Sequence, residues 1–274
     1  MRKPSCRCIA SLVLLSSLVS AEPLWGVTVD FNSPSDLNQF TVFGQSVEPT
    51  TGGVTGDAIR IQNPNIYAAS RLIYNQPLSY IDSGVEIITS MMFHYDELVE
   101  LSNGGGIGSA LASLKLLSDP DFSATTRWID VECFASQQTL QDPITFNISV
   151  SRLLGGSGNG NSVSISPPVD EHWYRLSARF TSSDAFPNGV QVSLDDFGLD
   201  GMTFLGNAGQ ITTAYADGPL LRDSTVWAGF GMQLPKSHGN DRSDNFTITV
   251  VPEPGMTTLV AMGACILWLR RHVG

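Results

Sequence analysis

Cysteine is nearly missing where a fold could use it. Cys6 and Cys8 lie close to the start of the chain and Cys265 close to its end, leaving Cys133 alone between residues 22 and 251. One thiol cannot close an intrachain disulfide, so that central body must be held by its core. Cys133 sits in the alternating run Ile129-Asp130-Val131-Glu132-Cys133. It shares a side with Ile129 and Val131, as an inert buried cysteine would.

Positive charge is also scarce. The chain has 15 basic and 26 acidic side chains, but Arg2, Lys3, Arg7, Arg270 and Arg271 are at the ends, with Glu253 the only terminal acid. Setting those six aside leaves 10 basic and 25 acidic groups, a net charge of −15 for residues 22–251. Such a body repels phosphate backbones, which argues against a nucleic-acid partner. Divalent cations and neutral sugars suit it better.

Catalytic signatures are missing as well. His94, His172, His238 and His272 are scattered without metal-ligand spacing. The stretch Gly155-Gly156-Ser157-Gly158-Asn159 fails the nucleophile-elbow pattern at its last position. The glycine tracts lack the Lys-Ser/Thr ending of a phosphate loop.

The two ends read as addresses. Arg2, Lys3 and Arg7 precede an apolar stretch from Ile9 to Val19, and small residues follow up to Ala21. This is the layout of a secretory leader, with cleavage predicted between Ala21 and Glu22. Secretion translocon and signal peptidase are therefore expected partners. Met256 to Leu269 is an uncharged run of 14 residues, followed at once by Arg270 and Arg271. It falls short of the ~20 residues that comfortably span a bilayer. Flanking residues and snorkelling arginines would stretch it, with the arginines forming a cytoplasmic basic cluster. Pro252-Glu253-Pro254 stands in front of it. Proline has no amide donor and favours extended geometry, so the triplet makes a stiff, accessible handle.

Pro252-Glu253-Pro254, a short hydrophobic helix and a terminal arginine pair resemble the PEP-CTERM sorting signal of Gram-negative bacteria. The resemblance covers residues 252–274. It implies a transient single-pass inner-membrane precursor and processing by an exosortase-type enzyme. Delivery to the cell surface or extracellular matrix would follow, typically where exopolysaccharide is made.

Between the ends, residues 22–251 alternate with period two. Ile144 to Val150, Tyr174 to Phe180, Val190 to Leu194, Val226 to Phe230 and Phe246 to Val250 each read as a strand with one buried face. Turn signals separate them, with Asn188-Gly189 marking a hairpin and the glycine tract 155–160 a loop. Asp96 to Ser102 and Ala110 to Leu117 are the two stretches open to a helical reading. One all-β domain, an antiparallel two-sheet sandwich, is the expected architecture. Val29-Asp30-Phe31-Asn32, Val190 to Gly198 and Ser243 to Phe246 resemble the concanavalin-A/laminin-G-like jelly rolls.

Two clusters in the body carry candidate chemistry. Trp128, Asp130 and Glu132 alternate along one strand, so an indole and two carboxyls share a face. The spacing is similar to that of jelly-roll glycoside hydrolases, but Trp128 stands where their first glutamate would be. Half of the carboxylate pair such an enzyme needs is therefore missing. A glycan-stacking platform and a solvated acidic face are the two other readings. Asp30 and Asp244 flank the first and last predicted strands, which commonly neighbour each other in jelly rolls. With Asp241 and Asn245 nearby they could hold a structural calcium, or simply cap turns. The expected function is a noncatalytic exported surface or matrix protein that binds exopolysaccharide. The alternative is a surface-attached polysaccharide hydrolase or lyase.

Overall fold

The computed structural model describes residues 25–62, 68–79, 85–98, 109–121, 126–139, 141–154, 157–181, 189–215, 221, 225–234 and 240–252. The leader, the cleavage pair Ala21 and Glu22, residues 253–274 and thus Arg270 and Arg271 lie outside the described residues. No helix among the described residues is long and apolar enough to cross a membrane.

Two antiparallel sheets pack face to face. The first runs in the order β14 (Gly206–Ala214), β13 (Gly189–Asp196), β12 (Trp173–Thr181), β7 (Val85–Tyr95), β16 (Asn240–Pro252), β4 (Asp57–Ile61) and β3 (Val47–Thr51). β1 (Trp25–Val29) also pairs with β16. The second runs β11 (Ser157–Ile165), β10 (Thr145–Leu154), β9 (Trp128–Ser136), β8 (Ser109–Leu117), β15 (Thr225–Leu234), β5 (Ala68–Tyr74) and β2 (Phe40–Gly44). β6 (Leu78–Ser79) joins β15.

Strand alternation builds this directly. In β9, Ile129, Val131, Cys133 and Ala135 are fully buried while the intervening residues are half-buried on the other face. β10 repeats the pattern with Phe146, Ile148 and Val150. Between the sheets Phe31, Phe40, Phe230 and Phe246 form one aromatic nest, with ring centroids 4.9 to 5.9 Å apart in each contacting pair. Burial raises the Cys133 thiol to about 12, so it stays protonated and inert.

One open reading is settled, and other sequence expectations change. Ala110 to Leu117 is strand, within β8. The glycine tract is not simply a loop, because Ser157 to Gly160 already belong to β11 and pair with Leu154 to Ser151. A strand with glycine at positions 158 and 160 is held there because β10 supplies the ladder partners. Asp96 to Ser102 falls partly outside the described residues, and a 3₁₀ turn that the sequence reading did not mark occupies Pro34–Gln39. Ser33 and Asp36 close a capping box at its start, with proline at the first position. Asp200 anchors the following turn, accepting from the Met202 and Thr203 amides at 2.9 Å each.

Register fixes the polarity of the sandwich. Val85 faces Pro252 at one end of the β7–β16 pair, and Tyr95 faces Asn240 at the other. Trp25 faces Val250. The first and last described strands therefore start and finish at one end. The turn of residues 197–205 lies at the opposite end, since Asp196 pairs with Tyr174 and Trp173 with His94.

Candidate functional site

The outer face of the second sheet carries the first cluster. Trp128, Asp130 and Glu132 do share a face there, joined by Phe134. The ladder continues their rows across the sheet. Ser162, Ser149, Glu132, Ser113, Gly231 and Arg71 stand successively opposite one another on six strands. Most of these side chains are small, and a trough results. A groove of about 650 Å³ follows it, lined by Ala110, Glu132, Phe134, Ser149, Ser151, Gly160, Asn161, Ser162 and Gln233. Beside the groove, a Cβ at Gly231 would lie 2.4 Å from Ser113 Oγ, so that hydroxyl would have to turn aside to admit one.

The three expected residues separate in role. Glu132 lines the groove. Asp130 is ion-paired instead with the deeply buried Lys115, its direct partner on β8. Trp128 is half-buried at the far end of β9, opposite Leu117 and Leu153. Burial first, and then the Asp130 charge, push the Glu132 carboxyl up to about 7 against the opposing pull of Lys115 and Arg71.

Glycosidic chemistry needs two carboxyls on either side of the bond. Among the described residues lining the groove, Glu132 is the single carboxylate, and its neighbours there are Ser149, Ser151 and Gln233. Besides Glu132 the groove offers serine hydroxyls, the Asn161 and Gln233 amides and one aromatic ring. These are binding groups rather than an acid/base pair. Sequence reasoning missed Ser149, Ser151 and Gln233 because alternating polar residues on a strand are indistinguishable from any wet face until the register aligns them.

The second cluster also assembles in part. Because β1 pairs with β16, Asp30 comes close enough to Asp244 for its charge to raise that carboxyl. Asp244 sits inside β16, at a break in the ladder, and is fully buried. Its oxygens accept from the Val54 amide and the Asn245 amide, both at 2.7 Å. Burial pushes it up to about 6 despite those donors. Asn245 carries a φ of 48° and Phe31 one of 52°, so the backbone is kinked within β16 and just after β1. Asp241 does not join. It pairs with His94 at 2.8 Å and with Arg242 at 3.2 Å. Calcium takes about six to eight oxygens. Asp30 and Asp244 would contribute carboxylate oxygens to such a shell, and the Asn32 side-chain oxygen accepts from the Asp57 amide at 2.8 Å. Through these contacts Asp244 staples the Val54 loop to the kink of β16.

Replacing Asp244 with alanine leaves the Val54 and Asn245 amides without their acceptor in a buried setting. The expected loss at pH 5 is about 1–3 kcal/mol, read from urea unfolding midpoints. An unchanged midpoint would mean that water replaces the carboxylate freely.

No protein-family model matches the chain, and no curated protein does. Solved structures do resemble it. The lectin UEA-II, complexed with galactose, superposes with a TM-score of 0.53 at 11% identity, covering 84% of this chain and 99% of the lectin. A lectin from Bauhinia forficata, in complex with GalNAc, gives 0.51 at 11% identity, covering 83% and 99%. At such identity the likeness establishes the jelly-roll sandwich and nothing finer.

Proposed function

We propose that this protein is a noncatalytic, exported surface or matrix component whose outer-sheet groove binds polysaccharide. The groove itself carries the reading. Its Ser149, Ser151, Ser162 and Gln233 side chains offer donors and acceptors to sugar hydroxyls, and the half-buried Phe134 ring offers an apolar face. The lectin-like neighbours support a carbohydrate role on this scaffold. Export rests on the leader, and sorting on Pro252-Glu253-Pro254 with its apolar run and arginines. A tether continuing from Pro252 would leave the 197–205 end pointing outward, since that end is opposite in the sandwich.

The binding test is a glycan array probed with mature protein, with and without EDTA. Wild type is expected to bind a polysaccharide, while Ser149→Trp and Phe134→Ala weaken binding by about tenfold or more, equivalent to ~1.4 kcal/mol. Loss of binding in EDTA would add a metal to the Asp30–Asp244 staple. Binding unaffected by either substitution would remove the groove from the account.

Sorting is tested separately in cells. Glu253→Ala, or deletion of Pro252 to Pro254, is expected to leave the protein as an unprocessed membrane precursor on immunoblots of fractionated envelopes. Processing at the wild-type rate would defeat the sorting reading without touching the groove.

A further inference from the structure

Lysine occurs three times in the chain, at Lys3, Lys115 and Lys236. Lys115 is placed in the middle of a sheet with its side chain only 3% exposed. Burying an ammonium is costly unless a partner compensates it, and the compensation here is unusual. Asp130 stands directly across the ladder and pairs with Lys115 through Oδ2, with 14% of its own side chain exposed. Its other oxygen, Oδ1, is buried and has no hydrogen-bond partner. A carboxylate retaining a bare buried oxygen is a poor endpoint for an ion pair.

A third group completes the arrangement. Glu132 lies two residues along β9 on the same face, and its carboxyl resists ionisation because it is buried beside Asp130. The remaining surroundings hold little water-binding bulk. Ser113 and Ser151 flank the rows, and Gly229 stands opposite Lys115 on β15. Arg71, across Gly231, is the other charged group acting on Glu132. An amine on β8 and, on the neighbouring β9, a carboxyl and a proton-carrying acid thus converge in a confined trough.

We propose that Lys115 and Asp130 condense after folding into a side-chain amide that covalently joins β8 to β9, with Glu132 relaying the proton. Within the pair the ammonium passes a proton to the Asp130 carboxylate, giving a neutral amine and a carboxylic acid. The Nζ lone pair attacks Cγ and forms the N–C bond. Glu132 donates its proton to the departing hydroxyl and recovers one from Nζ, ending as it began. The Cγ–O bond breaks and one water leaves. No oxidant or cofactor enters, and the only products are the amide and water. The surviving Asp130 oxygen becomes a neutral amide carbonyl, a group that is cheaper to leave buried than a carboxylate oxygen. The bond itself needs no polysaccharide, since neither Lys115 nor Asp130 lines the groove, although the relaying Glu132 does.

The experiment is tryptic mass mapping of the full-length protein after export. An acylated lysine is not cut by trypsin. The expected product is therefore one branched species, in which residues 72–127 remain uncut at Lys115 and are joined to residues 128–152, one water lighter than the separate peptides. Lys115→Arg keeps the charge and is expected to give unlinked peptides, with its fold checked by thermal melting. In Glu132→Gln the link is expected to form about 100-fold more slowly after refolding. Fully folded wild type yielding peptides 72–115, 116–127 and 128–152 at full mass would reduce the pair to an ion pair only and overturn the proposal. Equal rates in Glu132→Gln and wild type would overturn the relay assigned to Glu132.

Discussion

Phe230→Ala is expected to destabilise the protein by about 3–5 kcal/mol, the cost of emptying a large aromatic site in a core. Phe230 is fully buried on β15. Its ring centroid lies 4.9 Å from that of Phe246 on β16, 5.7 Å from Phe40 on β2 and 5.9 Å from Phe31 after β1. The four rings come from both sheets, so the void would open at the junction between them rather than under one loop. Collapse around it is hindered because the neighbours are rigid strands whose registers are fixed. Phe230→Leu retains most of the volume and should cost about 1.5 kcal/mol or less. Leu199→Ala, at a site 71% exposed in the far turn, should stay within about 0.5 kcal/mol of wild type. Urea unfolding midpoints at constant slope supply all three numbers. A Phe230→Ala loss below about 1 kcal/mol would mean that the aromatic nest is not the centre of the core.

Glu132→Gln should change how stability depends on pH. In the folded protein the carboxyl is pushed from its ordinary 4.5 up to about 7, chiefly by burial. A carboxyl raised in this way favours the folded state when protonated. Its contribution is complete below pH 4.5 and is lost as pH rises through about 7. The displacement corresponds to about 3 kcal/mol between the two ends of that window. Glutamine fills the same space without titrating. The stability of Glu132→Gln relative to wild type should therefore improve by about 2–3 kcal/mol between pH 4 and pH 8. Burial persists whether Lys115 and Asp130 are ion-paired or joined, so the sign is the same in both states. Parallel pH profiles for the two proteins would show that Glu132 is solvated in solution and that the groove is wider open than its lining implies.

Much of the sandwich was legible because alternation is a local property. Tyr174 to Phe180 and Ile144 to Val150 announce strands without reference to any partner, and the structure places both in long strands of opposite sheets. The pairing of the first and last strands followed from the jelly-roll resemblance, and β1 does lie on β16. The helical turn at Pro34–Gln39 was overlooked although its signal was present in Ser33-Pro34-Ser35-Asp36. Six residues are too few to show a helical period, so only the cap could have revealed it. Asp241 was assigned to the wrong cluster for a related reason. Three positions before Asp244 means little on a kinked strand, and the ladder shifts between Asn240 and Arg242 carry Asp241 to His94.

The candidate site divides in the same way. That Trp128, Asp130 and Glu132 share a face is fixed by the two-residue period of a strand, and the sequence alone settles it. Their fates were decided across strands. Asp130 is neutralised by Lys115 and Glu132 is held near neutrality in a serine-lined groove because particular registers set residues 15 or more positions apart directly opposite each other. Side-chain direction along one strand is written into covalent geometry, whereas a cross-strand neighbour exists only after long segments have closed and burial has removed the competing water. Composition, charge, strand content and the signal-like ends therefore belong to the chain as written. The groove, the staple at Asp244 and the confined lysine–aspartate pair belong to the packed sheets.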